Sequence, residues 1–207
     1  MPEDRAALED SIRARCEAGD HEQAATLILQ GYGREILGFL ISRVRDADMA
    51  GEIFSAFTYD LWRGLPSFAF RCSARAWAYT LARHAASHHI KAVRRDLRRH
   101  ARLSDAGCLS AIEAKVRTET LAAHKTEVKH RITELRETLP PDDQSLLILR
   151  VNRQLEWTEI AHVMLFQGEP LDEAVLKKEA ARLRKRFQLV KERLRNMAKA
   201  EGLLDEA

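Results

Sequence analysis

Proline and glycine are scarce, five and nine in 207 residues. That scarcity removes most of the punctuation a loop-rich or all-β protein needs. Alternating runs of Val, Ile and Thr bounded by turn dipeptides are missing too, so a sheet is not expected. Cysteine is limited to Cys16, Cys72 and Cys108. These are far apart, odd in number and form no CxxC pair, which argues against a disulfide framework and fits a reducing cytosol. No apolar run approaches a membrane span, and the opening MPEDRAALED is too acidic and polar for a signal peptide. The expectation is a cytoplasmic protein without a membrane partner. Catalytic signatures are also lacking: there is no Gly-rich phosphate loop, no GxSxG and no HExxH, so neither an enzyme nor a cofactor is expected.

Ala, Leu, Glu and Arg are abundant instead, and 45% of the residues are hydrophobic. This composition predicts an all-α protein with one sizeable core or two small ones. The formal charge of +3 conceals an asymmetry, since residues 1–60 carry a net −6 and the remainder +9. An acidic front and a basic back suit one protein partner and one nucleic-acid partner, although plain solvation produces such an imbalance too.

The densest pattern is residues 60–99, DLWRGLPSFAFRCSARAWAYTLARHAASHHIKAVRRDLRR. A helix ends on Leu61, Trp62 and Arg63. A loop over 64–73 carries Gly-Leu-Pro and two phenylalanines, Phe68 and Phe70. A second helix opens near Ser73 and runs past Arg99 with no Gly or Pro to stop it. Ala78, Ala82, Ala86, Ile90, Val93 and Leu97 form its apolar stripe. Arg83, Ser87, Lys91, Arg94 and Arg98 recur at the same spacing on another face. A row of cations beside an aromatic loop suits a polyanion whose bases can stack. A solvated face over core aromatics is the competing reading.

Upstream, residues 6–17 read as a short helix ended by Gly19, and Asp20 as the N-cap of the next, with Gln23 its capping-box partner. That helix spans 21–44, with Ile36, Phe39, Leu40 and Val44 on one side and Gly31 and Gly33 weakening its middle. A third covers 46–63, with Ile53, Phe57 and Leu61 inward and Asp46, Asp48, Glu52 and Asp60 outward. Residues 100–124 read as a linker, of which 111–123 can be helical. Val128, Ile132, Leu135 and Leu139 then mark a helix face ended by Pro140. Pro141, Asp142 and Asp143 have the chemistry of a helix start.

From Leu171 to about Ala198 a single pattern spans roughly 40 Å of helix at 1.5 Å per residue. Leu176, Ala180, Leu183, Phe187, Val190, Leu194 and Met197 make a heptad seam. Trp157, Ile160 and Val163 are expected to cover that seam from within the chain. Lys178, Arg182, Arg184, Lys185 and Gln188 lie away from it. His84 and His88 have a metal-binding spacing, with His89 and Cys72 nearby. A cationic face repels a divalent ion and no carboxylate is placed to complete the shell, so no metal is expected.

Residues 60–99 resemble region 2 of the extracytoplasmic-function group of bacterial sigma factors, whose pattern reads W-R-x-L-P-S-F-x-x-x-S-x-x-x-W-L-Y-x-I-A-R-N. Trp62, Arg63, Leu65, Pro66, Ser67, Phe68, Ser73, Trp77, Tyr79, Ala82 and Arg83 fall in register without a gap. His84 stands in the place of Asn. In the preceding helix Ala50, Glu52, Ile53 and Ser55 take family positions, while Gly51 replaces an acid and Ser55 a Gln. LPPDDQSLLILRV and Leu155–Ala161 resemble the start of region 4 and the first helix of its helix-turn-helix. The segment LFQGEP and the long helix after it depart from the family's tight turn.

The resemblance implies two helical domains, 1–99 and 125–207, that bind core RNA polymerase and direct it to promoters. Polymerase binding would fall to Asp48, Glu52, Ile53, Ser55 and Trp62. A base flipped from the −10 element would be captured by Ser67, Phe68, Phe70, Arg71 and Trp77, while Arg83, His84, Lys91, Arg94 and Arg95 hold the strand. Lys178, Arg182, Arg184, Lys185 and Gln188 would meet the −35 element. The partners would be core polymerase and promoter DNA, with an anti-sigma factor as an optional third. A stand-alone helix-turn-helix regulator and a helical protein-interaction module are the alternatives.

Overall fold

A computed structural model of the chain describes residues 2–96, 130–166 and 171–201, and side chains within 4–92, 134–166 and 171–201. The described residues are helices and short connections, with no strand among them. The protein is all-α. It divides into two compact units, Met1–His124 and Lys125–Ala207. The linker expected over 100–124, Cys108, and the side chains of Val93, Arg94, Arg95, Leu97, Arg98, Val128 and Ile132 lie outside the described residues.

The first unit contains α1 (Pro2–Glu17), α2 (His21–Val44), α3 (Ala47–Gly64), a 3-10 turn (Leu65–Ser67) and α4 (Ala74–Asp96). Gly19, at φ +74°, turns the chain between α1 and α2. Asp20 then caps α2, its carboxylate accepting the Gln23 amide at 3.2 Å. α2 is apolar on nearly all sides and packs against each of the other three helices, as a central helix must. Its Phe39 meets Tyr79 of α4 edge-on at 5.5 Å. Ile53, Phe54, Phe57 and Leu61 of α3 are fully buried, as are Ala74, Ala76, Ala78 and Ala82 of α4. That run of alanines lets the backbones approach closely.

Gly31 does not interrupt α2. A Cβ there would run into a Leu8 methyl of α1. The glycine marks the seat of α1, so the weak point expected from helix propensity is a packing contact.

The second unit contains α5 (His130–Glu137), α6 (Pro141–Leu147), a π turn (Ile148–Asn152), α7 (Trp157–Leu165) and α8 (Glu173–Ala200). Pro140 and Pro141 end α5 and open α6. The buried Gln144 amide donates to the carbonyls of Glu137 and Leu139, at 3.1 and 2.7 Å, and so satisfies the end of α5. Asp143 serves as more than a first-turn acid, since it is buried and pairs with Arg186 of α8 at 2.5 Å. The heptad seam is covered within the unit. Ala180, Leu183, Phe187 and Val190 are buried, α8 packs against α7, and Trp157 lies edge-on to Phe187 at 5.5 Å.

Candidate nucleic-acid interface

In the first unit the candidate residues lie on α3, the loop and α4. Asp46 caps α3 by accepting the Asp48 and Met49 amides, each at 2.9 Å. The i, i+3 and i+4 spacing of Asp48, Glu52, Ser55, Tyr59 and Trp62 then aligns them along one side of the helix. Asp48 and Glu52 are exposed, and Tyr59 and Trp62 are 44% and 49% exposed, unusual for large aromatics. The Ser55 hydroxyl donates to the Gly51 carbonyl at 3.2 Å. Ile53 is fully buried, so it supports this face from behind. The outer side of α3 is therefore acidic at one end and aromatic at the other.

The loop is closed on itself. Ser67 donates to the Gly64 carbonyl at 2.9 Å, and Phe70 holds φ +51°, an uncommon conformation for a bulky residue. Phe68 stacks on Trp77 at 4.3 Å and 12°, and its ring also meets Phe70 at 4.4 Å. Trp77 is only 7% exposed and forms the floor of this stack. Gly64 makes room for it, since a Cβ there would lie 2.9 Å from the indole. Arg71 is exposed.

Two contacts that no local pattern indicates hold the loop in place. Glu9 of α1 accepts the amides of Ala74 and Arg75 at 2.7 and 3.0 Å, and the Tyr32 hydroxyl at 2.7 Å. A carboxylate thus caps the positive end of α4, where the dipole favours it. Ser73 accepts the Ala76 amide beside it at 3.1 Å. Arg75 is 3% exposed and its guanidinium grips Glu35 through two bonds of 2.5 and 2.8 Å. The Tyr32 hydroxyl is pushed well above the usual tyrosine range, first by burial and then by its bond to Glu9.

Along α4, Arg83 and His84 are half-buried and Lys91 is exposed. Ser87 bonds its hydroxyl to the Arg83 carbonyl at 2.8 Å. His89 lies 3.8 Å from the Glu52 carboxylate of α3. A carboxylate does therefore reach this cluster, yet among the described residues no group of three or more His, Cys, Asp and Glu gathers as a metal site.

In the second unit Lys178, Arg182, Arg184, Lys185 and Gln188 are all exposed on α8. Arg182 pairs with Glu179 at 3.5 Å, a surface contact worth little. Arg184 leans over Trp157 at 5.8 Å, and Arg150, part of the LPPDDQSLLILRV segment but given no role there, lies over the same indole at 4.8 Å. Arg150 also donates to the Leu155 carbonyl at 2.8 Å, bracing the start of α7. His162 is buried, and burial pulls its pKa down from the ordinary 6.5.

No protein-family model and no curated protein matches the chain. Its functional reading therefore rests on its own residues and geometry. Each unit carries cationic side chains on the solvent side of a helix whose other side is core. Among the described residues no helix is long and apolar enough to cross a membrane.

Proposed function

We propose that the chain is a promoter-recognising subunit of bacterial RNA polymerase, of the extracytoplasmic-function sigma type, working in the cytoplasm and without catalytic chemistry of its own. The observation that carries this reading is the aromatic loop 64–73, set between a helix with an acidic and aromatic outer side and a helix bearing cations. In this reading the Asp48–Trp62 side of α3 docks on core polymerase. The loop takes a base flipped from the −10 element, and Arg83, His84 and Lys91 of α4 hold the strand's phosphates, joined by Arg94 and Arg95. Unpairing a base costs a few kcal/mol, and stacking on an aromatic returns about 1–3 kcal/mol. The Arg182, Lys185 and Gln188 side of α8 meets the −35 element in the major groove, where a bidentate arginine contributes about 1–3 kcal/mol of discrimination.

One observation favours a second reading, a DNA-binding regulator that works without polymerase. Where the family pattern has an acid and a Gln, α3 has the buried Gly51 and a Ser55 whose hydroxyl donates to the Gly51 carbonyl, so its docking side carries less charge. In vitro transcription with core enzyme over a pool of random promoters separates the two. The sigma reading expects transcripts from a subset of promoters sharing two spaced elements. If the chain neither pulls down core enzyme nor yields such transcripts, the sigma reading is wrong.

A further inference from the structure

In the loop assigned to base capture each half-buried phenylalanine ring has a neighbour. Phe68 stacks on Trp77 and meets Phe70 at a tilt of 44°. Phe70 is the outermost ring, and the guanidinium carbon of Arg13 sits over it, 4.7 Å from the ring centroid. Arg13 belongs to α1, which the motif resemblance does not cover. A planar cation therefore occupies a position over the Phe70 ring that a planar base could take.

Three features single out this position. Arg13 is exposed, and among the described residues no carboxylate pairs with it, so its contact with the ring is what holds it. A cation–π contact at an exposed site is weaker than the stacking of a base on an aromatic ring, so a base can take the place of the guanidinium. Phe70 is held at φ +51°, and such conformations persist where surrounding structure enforces them, often at ligand sites. Finally, Glu9 lies one turn before Arg13 on α1 and is bonded to the Ala74 and Arg75 amides. That anchor keeps Arg13 beside the loop even when its guanidinium leaves the ring.

We propose that an unpaired base of single-stranded DNA inserts between the Phe70 ring and the Arg13 guanidinium. The ring stacks on one face of the base, the guanidinium covers the other, and its outward N–H groups face the flanking phosphate. Arg13 becomes a contact residue of the strand site, and α1 part of that site. The inference rests on the strand-capturing role proposed for the loop.

The test uses the full chain and a short single-stranded oligonucleotide carrying 2-aminopurine, a base whose fluorescence falls when it stacks. Wild-type protein at low salt is expected to quench it. Phe70→Leu removes the ring and most of the quenching. Arg13→Ala, a change at an exposed site, weakens binding roughly five- to tenfold and makes the remaining quenching shallower. Arg13→Lys keeps the charge, so the salt dependence stays while the quenching still falls. Replacing the fluorescent base by an abasic nucleotide brings wild-type affinity down to that of Phe70→Leu.

Absence of quenching by the wild type, or equal quenching by Phe70→Leu, overturns the inference. So does an Arg13→Ala protein that binds as well as or better than wild type, since the guanidinium would then be a bystander or a plug. Core-enzyme pull-down decides the sigma reading separately. If core enzyme binds while Arg13→Ala changes nothing, the role of Arg13 alone is lost.

Discussion

Glu9 shows how much a single side chain can decide. Its carboxylate closes the start of α4 and accepts the Tyr32 hydroxyl, so truncation strands three donors at once. Glu9→Ala is expected to cost about 2–4 kcal/mol in urea denaturation, since buried donors left unpaired carry the desolvation penalty. A change below about 1 kcal/mol would mean that water replaces the carboxylate freely. Tyr32 adds a pH signature. Its folded pKa is raised, so its contribution is complete below the ordinary tyrosine value of 10.0. Above that value the unfolded chain loses the proton while the folded one keeps it, and stability falls as pH rises. Tyr32→Phe should flatten that fall.

Gly64 is a second decisive residue, because an added Cβ would press on the buried Trp77 indole at 2.9 Å. Gly64→Ala gains up to about 1 kcal/mol of helix propensity but meets a ring stacked on Phe68, and overpacking costs about 1–3 kcal/mol. The expected outcome is a net loss of stability and a changed tryptophan emission spectrum.

Among the elements, α8 is core on one side and exposed on the other, where the proposal puts the −35 contact. Its buried seam of Leu183, Phe187 and Val190 settles which side faces out, and this places Arg182 and Lys185 in solvent. Arg182→Ala is therefore expected to relax base preference at the upstream element. Lys91→Ala on α4 should weaken all promoters alike and reduce the salt slope by about 0.9. Salt-dependent binding measurements over a promoter library check both. Equal loss on every sequence from both variants would move the reading surface away from Arg182.

α7 carries its own pH signature. Burial lowers the His162 pKa, so the neutral form is favoured in the fold and its contribution is complete above 6.5. As pH falls below that value the unfolded chain takes up the proton first, and the second unit loses stability. His162→Phe should remove most of this dependence below pH 6.5, followed by urea unfolding at each pH.

For the whole molecule, the proposal places polymerase docking and duplex reading on different units. Asp48→Lys with Glu52→Lys is expected to lower core-polymerase affinity tenfold or more, about 1.4 kcal/mol, and to leave duplex binding within about twofold. Arg182→Ala with Lys185→Ala should do the reverse. If each pair impairs both activities, the two surfaces do not act separately.

Much of the fold was legible from local pattern. Pro140-Pro141, Asp20 with Gln23, and the seam from Leu176 to Met197 each express preferences of neighbouring residues, and the helices begin and end close to where those signals fall. The candidate cationic faces were legible for the same reason, since a helix with one apolar stripe must turn its charges outward. Contacts between residues distant in sequence were not legible. Glu9 on Ala74, Arg13 on Phe70, Arg75 with Glu35, and Arg150 over Trp157 leave no periodic trace in the chain. Ile53 and Trp77 illustrate the limit from the other side: both match motif positions, yet both are buried.

The sequence by itself determined the all-α class, most helix boundaries and the sorting of apolar from charged faces, because backbone propensity, capping and a period near 3.6 residues act over a few neighbours. Only the tertiary structure decided that the aromatic loop closes on Trp77, that α1 reaches over to cap α4 and cover Phe70, and that Asp143 is a buried ion-pair partner. Those outcomes depend on packing and on the pairing of buried polar groups, which are settled when distant helices meet.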